Sequence, residues 1–220
     1  MELDVIRLWV PVGNQLTFHL PVYSFIAFEG PIASGKTTHA TLLAERLGTT
    51  PLLEQFGVNE FLADYYGDRT RWALPMQLSF LALRSSQLRQ VKNPIAETTV
   101  VDYSYLKDPA FAHLLLRDRE LRLYEQMADA YQMAIAKHDL VVYLDARNEV
   151  LLERIRRRNR PYETSIDAAY QDSLRGAYEN AFRADPELTV VRYDTSDLDL
   201  GNGTDVDQLQ DAVLSALASR

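Results

Sequence analysis

Tyr23-Ser24-Phe25-Ile26-Ala27-Phe28-Glu29-Gly30-Pro31-Ile32-Ala33-Ser34-Gly35-Lys36-Thr37-Thr38 joins an apolar run of strand length to a glycine-rich loop. Residues 30–37 match G-x-x-x-x-G-K-[S/T] at every fixed position. Each residue type has a physical reason. Gly30 and Gly35 let the backbone turn its N–H groups toward phosphates, Lys36 reaches the terminal oxygens, and the Thr37 hydroxyl suits Mg²⁺. Residues 37–47 read as a helix stopped by Gly48, and its positive end points at the same anion. A chain of this length shows the pattern by accident roughly once in a hundred. The strand before it and the helix after it argue further against accident, so ATP-type nucleotide binding through Gly30, Ala33, Ser34, Gly35, Lys36, Thr37 and Thr38 is expected.

Outward from this loop, strand-like runs recur at 51–55, 98–102, 140–144 and 189–193. Helical patterns separate them at 59–66, 72–91, 109–116, 120–137, 149–159 and 165–184, and 205–218 closes the chain. Asn59 is the expected cap of the first of these. The alternation predicts an α/β fold with a five-stranded parallel sheet and helices on both faces. The long helices at 72–91 and 120–137 carry apolar stripes that suit packing together or a dimer seam.

The composition is that of an ordinary folded domain, 47% apolar and 25% charged. Its net charge of −8 argues against binding polymeric nucleic acid. No apolar run approaches the roughly 20 residues of a membrane span, and the first residues do not read as a secretory signal. The absence of cysteine removes disulfides and thiolate zinc sites and fits a cytoplasmic location. The four histidines are widely spaced, so no structural metal is expected. Against the acidic background, Arg154, Arg156, Arg157, Arg158 and Arg160 crowd into seven positions.

Further segments follow in order. Leu52-Leu53-Glu54 puts a carboxylate at a strand end, where the ligand crevice of an α/β sheet lies. Gln77 and Arg84 are seven residues apart and share a helix face. Asp102-Tyr103-Ser104 follows the third strand, with Asp108 close behind. With the loop and the arginine cluster, these segments resemble the deoxynucleoside kinase family, which includes deoxycytidine, deoxyguanosine and mitochondrial thymidine kinases. The likeness is strongest to bacterial deoxyadenosine and deoxyguanosine kinases. It covers residues 22–220 as one domain and leaves residues 1–21 as an extension without an assigned role.

The resemblance implies a P-loop kinase fold with an arginine-rich lid, ATP and Mg²⁺ as cofactors, a deoxynucleoside acceptor and a homodimer. Glu54 matches the family's general base, Tyr66 its sugar contact, and Gln77 its base-edge reader. Arg84 and Asp108 match the pair at the purine, Thr37 and Asp102 flank Mg²⁺, and Glu163 matches a lid acid that reaches the sugar. Lys36, Arg158 and Arg160 match groups that meet the reacting phosphates, with Arg154 one turn before Arg158. Trp72 and Phe80 are expected to wall the base. The chain departs from the family at Tyr103, where an arginine normally adds charge near the reacting oxygens.

For the base, a glutamine amide offers one acceptor and two donors, complementary to N1 and N6 of adenine. Deoxyadenosine is therefore favoured. Deoxyguanosine follows, because arginine can donate to O6 and N7 and residues 184–190 resemble bacterial deoxyguanosine kinases. Deoxycytidine remains open. A nucleoside monophosphate kinase would need a basic group beside the acceptor phosphate, and residues 51–60 contain none. A non-enzymatic nucleotide switch would leave Tyr66, Gln77, Arg84 and Asp108 as coincidences.

Overall fold

The computed structural model describes residues 24–91, 98–132, 137–198 and 203–218; the 1–21 extension lies outside them. The run before the glycine-rich loop forms β1 (Phe25–Glu29), buried along its whole length. Its side chains alternate between two cores. Ile26 and Phe28 pack with Leu43 of α1 (Lys36–Leu47) and with Leu209 and Val213 of α8 (Gly203–Ala218). Phe25 and Ala27 face Ala110 of α4 (Lys107–Leu115) and Leu174 and Tyr178 of α7 (Ala168–Ala184). Burial on both faces explains why residues 25–28 are apolar without a gap.

β1 pairs with β2 (Thr99–Val101) on one side and β3 (Leu140–Asp145) on the other, and β4 (Val190–Asp194) lies beyond β3. Every pairing is parallel. The described residues form four strands rather than the expected five. At 51–55 only Leu52 meets the sheet, through one parallel bridge to Val101 and an N–H donated to the Val100 carbonyl at 2.9 Å. Pro51 has no N–H to offer, and the Glu54 N–H donates instead to Asp102 Oδ1 at 2.6 Å. A side chain thus takes the donor that would have continued the ladder, and the segment turns out of the sheet at Glu54.

A third core joins Tyr65 of α2 (Leu62–Gly67), Met76 and Leu81 of α3 (Arg69–Leu88) and Tyr124 of α5 (Asp118–Gln132). The two long helices therefore pack against one another, while Leu123 and Met127 of α5 remain exposed. α3 starts three residues before the expected position, because the Asp68 carboxylate accepts the Arg71 N–H at 3.1 Å and caps it there. Asn59 does not cap α2. Its side chain accepts the Phe61 N–H and donates to the Met76 carbonyl, tying the entry of α2 to α3. α6 (Asn148–Arg158) carries the arginine cluster and ends at Asn159 in a left-handed conformation. No helix among the described residues is long and apolar enough to cross a membrane.

The sheet and the loop meet at Gly30, which has φ +141°; a Cβ there would lie 1.9 Å from the Leu144 carbonyl oxygen. Gly30→Ala is expected to destabilise the fold by more than about 2 kcal/mol in urea unfolding. Gly57→Ala, which meets open space, should change stability by less than about 0.5 kcal/mol. Similar losses at the two positions would refute the close-approach argument.

Candidate active site

The strand ends open into one cleft of about 500 Å³, bordered by the loop after β1, by α3 and by the chain after α6. Ala33 and Gly35 take left-handed φ values of 68° and 103°, which curl the loop. Gly35 stands at the N-cap of α1 and has no side chain to satisfy the first-turn amides, leaving them for an anion. Gln171 braces the loop by accepting the Ile32 N–H at 3.1 Å and donating to the Ile32 carbonyl at 2.8 Å. Lys36 folds back, donating to the Gly30 and Pro31 carbonyls at 2.9 and 2.8 Å. Burial, with repulsion from Lys107, lowers its pKa to about 8.

Asp102 links the loop to the opposite wall. One carboxylate oxygen accepts from Thr37 Oγ1 at 2.6 Å and the other accepts the Glu54 N–H. Glu54 in turn is held by two cations. Oε1 accepts from Arg84 Nε at 2.7 Å and lies 2.5 Å from a second guanidinium nitrogen. Oε2 accepts from Lys107 Nζ at 2.5 Å. Burial raises the carboxyl pKa, but Arg84 and Lys107 outweigh it and hold Glu54 at about 2. Arg84 also forms a buried ion pair with Asp108. Tyr103 is fully buried and does not line the cleft. Its hydroxyl donates to Gln87, whose amide donates to the Leu53 carbonyl, so the tyrosine supports the strand end that carries Glu54.

On the α3 side, Gln77 is 1% exposed, its Oε1 has no partner and its Nε2 meets only Met76 Sδ at 3.9 Å. Phe80 lines the cleft beside it, with the Arg84 guanidinium 4.3 Å above its ring. Trp72 does not wall the cleft as expected. It stacks on Phe61, because at about 100° per residue it lies roughly 140° around α3 from Gln77 and so on a different face from the one that lines the cleft. Tyr66 lines the cleft and stacks on Tyr162 from the chain after α6.

Arg158 donates twice to Glu163 Oε2, at 2.9 and 2.6 Å, and Arg160 donates to Oε1 at 3.3 Å. Arg160 also covers the Phe56 ring at 4.0 Å. Arg154 is tied to Thr195 through 3.0 and 2.7 Å bonds and reaches the Ala33 carbonyl at 3.5 Å. The structure thus gathers Ala33, Ser34, Gly35, Lys36, Thr37, Thr38, Glu54, Tyr66, Gln77, Arg84, Asp102, Arg154, Arg158, Arg160 and Glu163 around one cleft, with Asp108 behind Arg84 and Gly30 set back against the Leu144 carbonyl.

Sequence reasoning missed Lys107, Gln171 and Thr195. Thr195 donates to the Ser34 and Asp145 carbonyls at 3.1 and 3.0 Å, pinning the chain after β4 to the loop. It also missed buried Glu29, whose carboxylate accepts from the Ser104 N–H, the Ser104 hydroxyl and the Tyr178 hydroxyl. None sits in a recognisable spacing; the only signal was the acidic residue immediately before the glycine-rich loop.

This fold, with this cleft at its strand ends, places the chain among the P-loop phosphotransferases. Residues 26–216 match the family model described as deoxynucleoside kinase, and the chain belongs to that family. Deoxyguanosine kinase of Bacillus subtilis (strain 168) is 33% identical over 177 residues, covering 77% of this chain and 86% of that protein. Deoxyadenosine/deoxycytidine kinase of the same strain is 26% identical over 208 residues, covering 90% and 95%. The structure of M. mycoides deoxyadenosine kinase with dCMP and a flexible dCDP bound superposes with TM-score 0.71 at 26% identity, covering 89% of this chain and all of that one.

Arg84→Met leaves two buried carboxylates short of a cation and is expected to cost about 3–5 kcal/mol in urea unfolding. Adding Asp108→Asn should recover at least about 1 kcal/mol of it; no recovery would mean the pair is uncoupled. Because the Glu54 pKa is depressed from 4.5 to about 2, its ion pairs stabilise fully above about pH 4.5 and fade as pH falls toward about 2. Unfolding midpoints from about pH 5 to about pH 3 should therefore fall more steeply in the parent protein than in Glu54→Gln.

Proposed function

We propose that the protein transfers the γ-phosphoryl group of ATP to the 5′-hydroxyl of a purine deoxynucleoside, deoxyadenosine first and deoxyguanosine next. The unpaired, buried amide of Gln77 inside the cleft carries the reading. A buried polar group without a partner is costly, and a base edge with an acceptor beside a donor satisfies both ends of an amide. Adenine has that edge. The Arg84 donors are spent on Glu54 and Asp108, which leaves base reading to Gln77. Deoxyguanosine stands second because the 33% identical relative is a deoxyguanosine kinase. Deoxycytidine shares adenine's donor–acceptor pattern and stands third, in line with the deoxyadenosine/deoxycytidine kinase among the relatives.

In this mechanism Glu54 accepts the 5′-hydroxyl proton as the oxygen attacks phosphorus, and Tyr66 and Glu163 hold the sugar. Lys36 leaves the Gly30 and Pro31 carbonyls for the phosphates. Arg158 and Arg160 exchange Glu163 for phosphoryl oxygens, while Arg154 braces the loop edge. Thr37 and Asp102 fit Mg²⁺, since both present hard oxygen atoms and already touch. Among the described residues no group of three or more His, Cys, Asp or Glu could hold an ion unaided, so phosphate oxygens would complete the shell. Bound Mg²⁺ would neutralise charge on the β- and γ-oxygens.

A steady-state assay with ATP–Mg²⁺, the four deoxynucleosides and deoxythymidine monophosphate tests the reading. Deoxyadenosine is expected to give the highest kcat/KM; reaction of the monophosphate alone would replace the reading with a nucleoside monophosphate kinase. Glu54→Gln should lower kcat about a hundredfold or more while nucleoside affinity stays within about tenfold; an unchanged kcat removes Glu54 as the base. Gln77→Glu should shift preference toward deoxyguanosine, whose N1 and N2 are both donors. Unaltered selectivity would show that Gln77 does not read the base.

A further inference from the structure

Lys107 is a cation that lines the cleft and acts on the three carboxylates Glu29, Glu54 and Asp108. It is 7% exposed and is the first residue of α4, at the positive end of that helix. Two further cations line the cleft, half-buried Lys36 and buried Arg84. The ammonium carries three donors, and among the described residues its side chain has one hydrogen-bond acceptor, Glu54 Oε2. Glu54 is held by two cations at once, Arg84 at Oε1 and Lys107 at Oε2, and Arg84 is shared with Asp108. The field of Lys107 reaches the loop as well, where it works against the charge on Lys36. Tyr103, the neighbouring candidate for contact with the reacting oxygens, is uncharged and turned toward Gln87.

We infer that Lys107 is a further catalytic residue that exchanges its contact with Glu54 for the γ-phosphoryl oxygens of ATP when the nucleotide binds. The inference rests on the reading of Glu54 as the base and explains a difficulty in it. A carboxylate clamped by two cations is a weak proton acceptor. Departure of Lys107 removes one clamp, so arrival of the phosphate donor itself raises the basicity of Glu54. The 5′-hydroxyl proton then passes to Glu54, the O5′–phosphorus bond forms, and the bond from phosphorus to the β,γ-bridging oxygen breaks. That oxygen keeps the electron pair as ADP leaves. Lys107 donates hydrogen bonds throughout and neither gains nor loses a proton.

The test separates the γ-phosphate from the rest of the nucleotide and requires no turnover. Titration calorimetry, without nucleoside, compares Mg²⁺ complexes of ADP and of the β,γ-imido analogue of ATP. Lys107→Met is expected to raise the Kd of the analogue about tenfold and to leave that of ADP within about twofold. Lys107→Gln, which keeps a polar end in the same space, guards against misfolding and should show the same selectivity. Glu54→Gln frees Lys107 and should tighten the analogue about threefold or more, a gain that disappears when Lys107→Met is added. Equal changes for both nucleotides, no change for either, or a gain that survives removal of Lys107 overturns the inference. Loss of the base reading would appear separately, as an unchanged kcat in Glu54→Gln.

Discussion

Everything in the cleft depends on one carboxylate that is kept charged where water is scarce. Glu54 lies at the end of a chain segment that leaves the sheet, and desolvation alone would favour its neutral form. Arg84 from α3 and Lys107 from α4 reverse that preference, and Asp108 balances Arg84 in turn. Two helices separated in sequence by β2 are thereby tied to one strand end. The Asp102 carboxylate completes the frame, binding the Glu54 backbone on one side and the Thr37 hydroxyl on the other. The distance between the carboxylate wall and the phosphate loop is thus set by a single two-handed side chain.

The parallel sheet supplies the rigid base for this arrangement. Glu29, Asp102, Asp145 and Thr195 all sit at or just past the carboxyl ends of strands, where an α/β sheet presents its ligands. Thr195 and Gln171 join the loop to the chain after β4 and to α7. The loop is therefore braced from three directions before any ligand arrives, which lowers the ordering cost of binding.

Much of this was legible in the sequence, for identifiable reasons. The phosphate loop needs particular residue types at fixed spacing, so Gly30 to Thr37 could be read directly. β1 and β3 are apolar up to their last residues, Glu29 and Asp145, because both their faces are covered, and such runs stand out. The segment at 51–55 was misread because its apolar residues satisfy a strand pattern, while the decisive event, capture of the Glu54 N–H by Asp102, joins positions 48 apart. Trp72 was misplaced because it shares the helix with Gln77 but, at roughly 140° around the axis, not its face. Lys107 was passed over because the helix was expected to begin at 109 and no spacing marks the lysine; only the fold brings it to Glu54.

The lid shows how a binding surface can be strongly basic yet hold few bare charges. Arg158 and Arg160, each about one-third exposed, share the nearly buried carboxylate of Glu163. A small monovalent ion gains little by displacing so well-matched a partner, because it returns at most one contact for those it breaks. A triphosphate offers several oxygens at once and can replace both arginine contacts together. In the proposed mechanism the internal counter-ion would therefore act as a threshold against simple anions in solution, making the valence of the ligand the first criterion for admission.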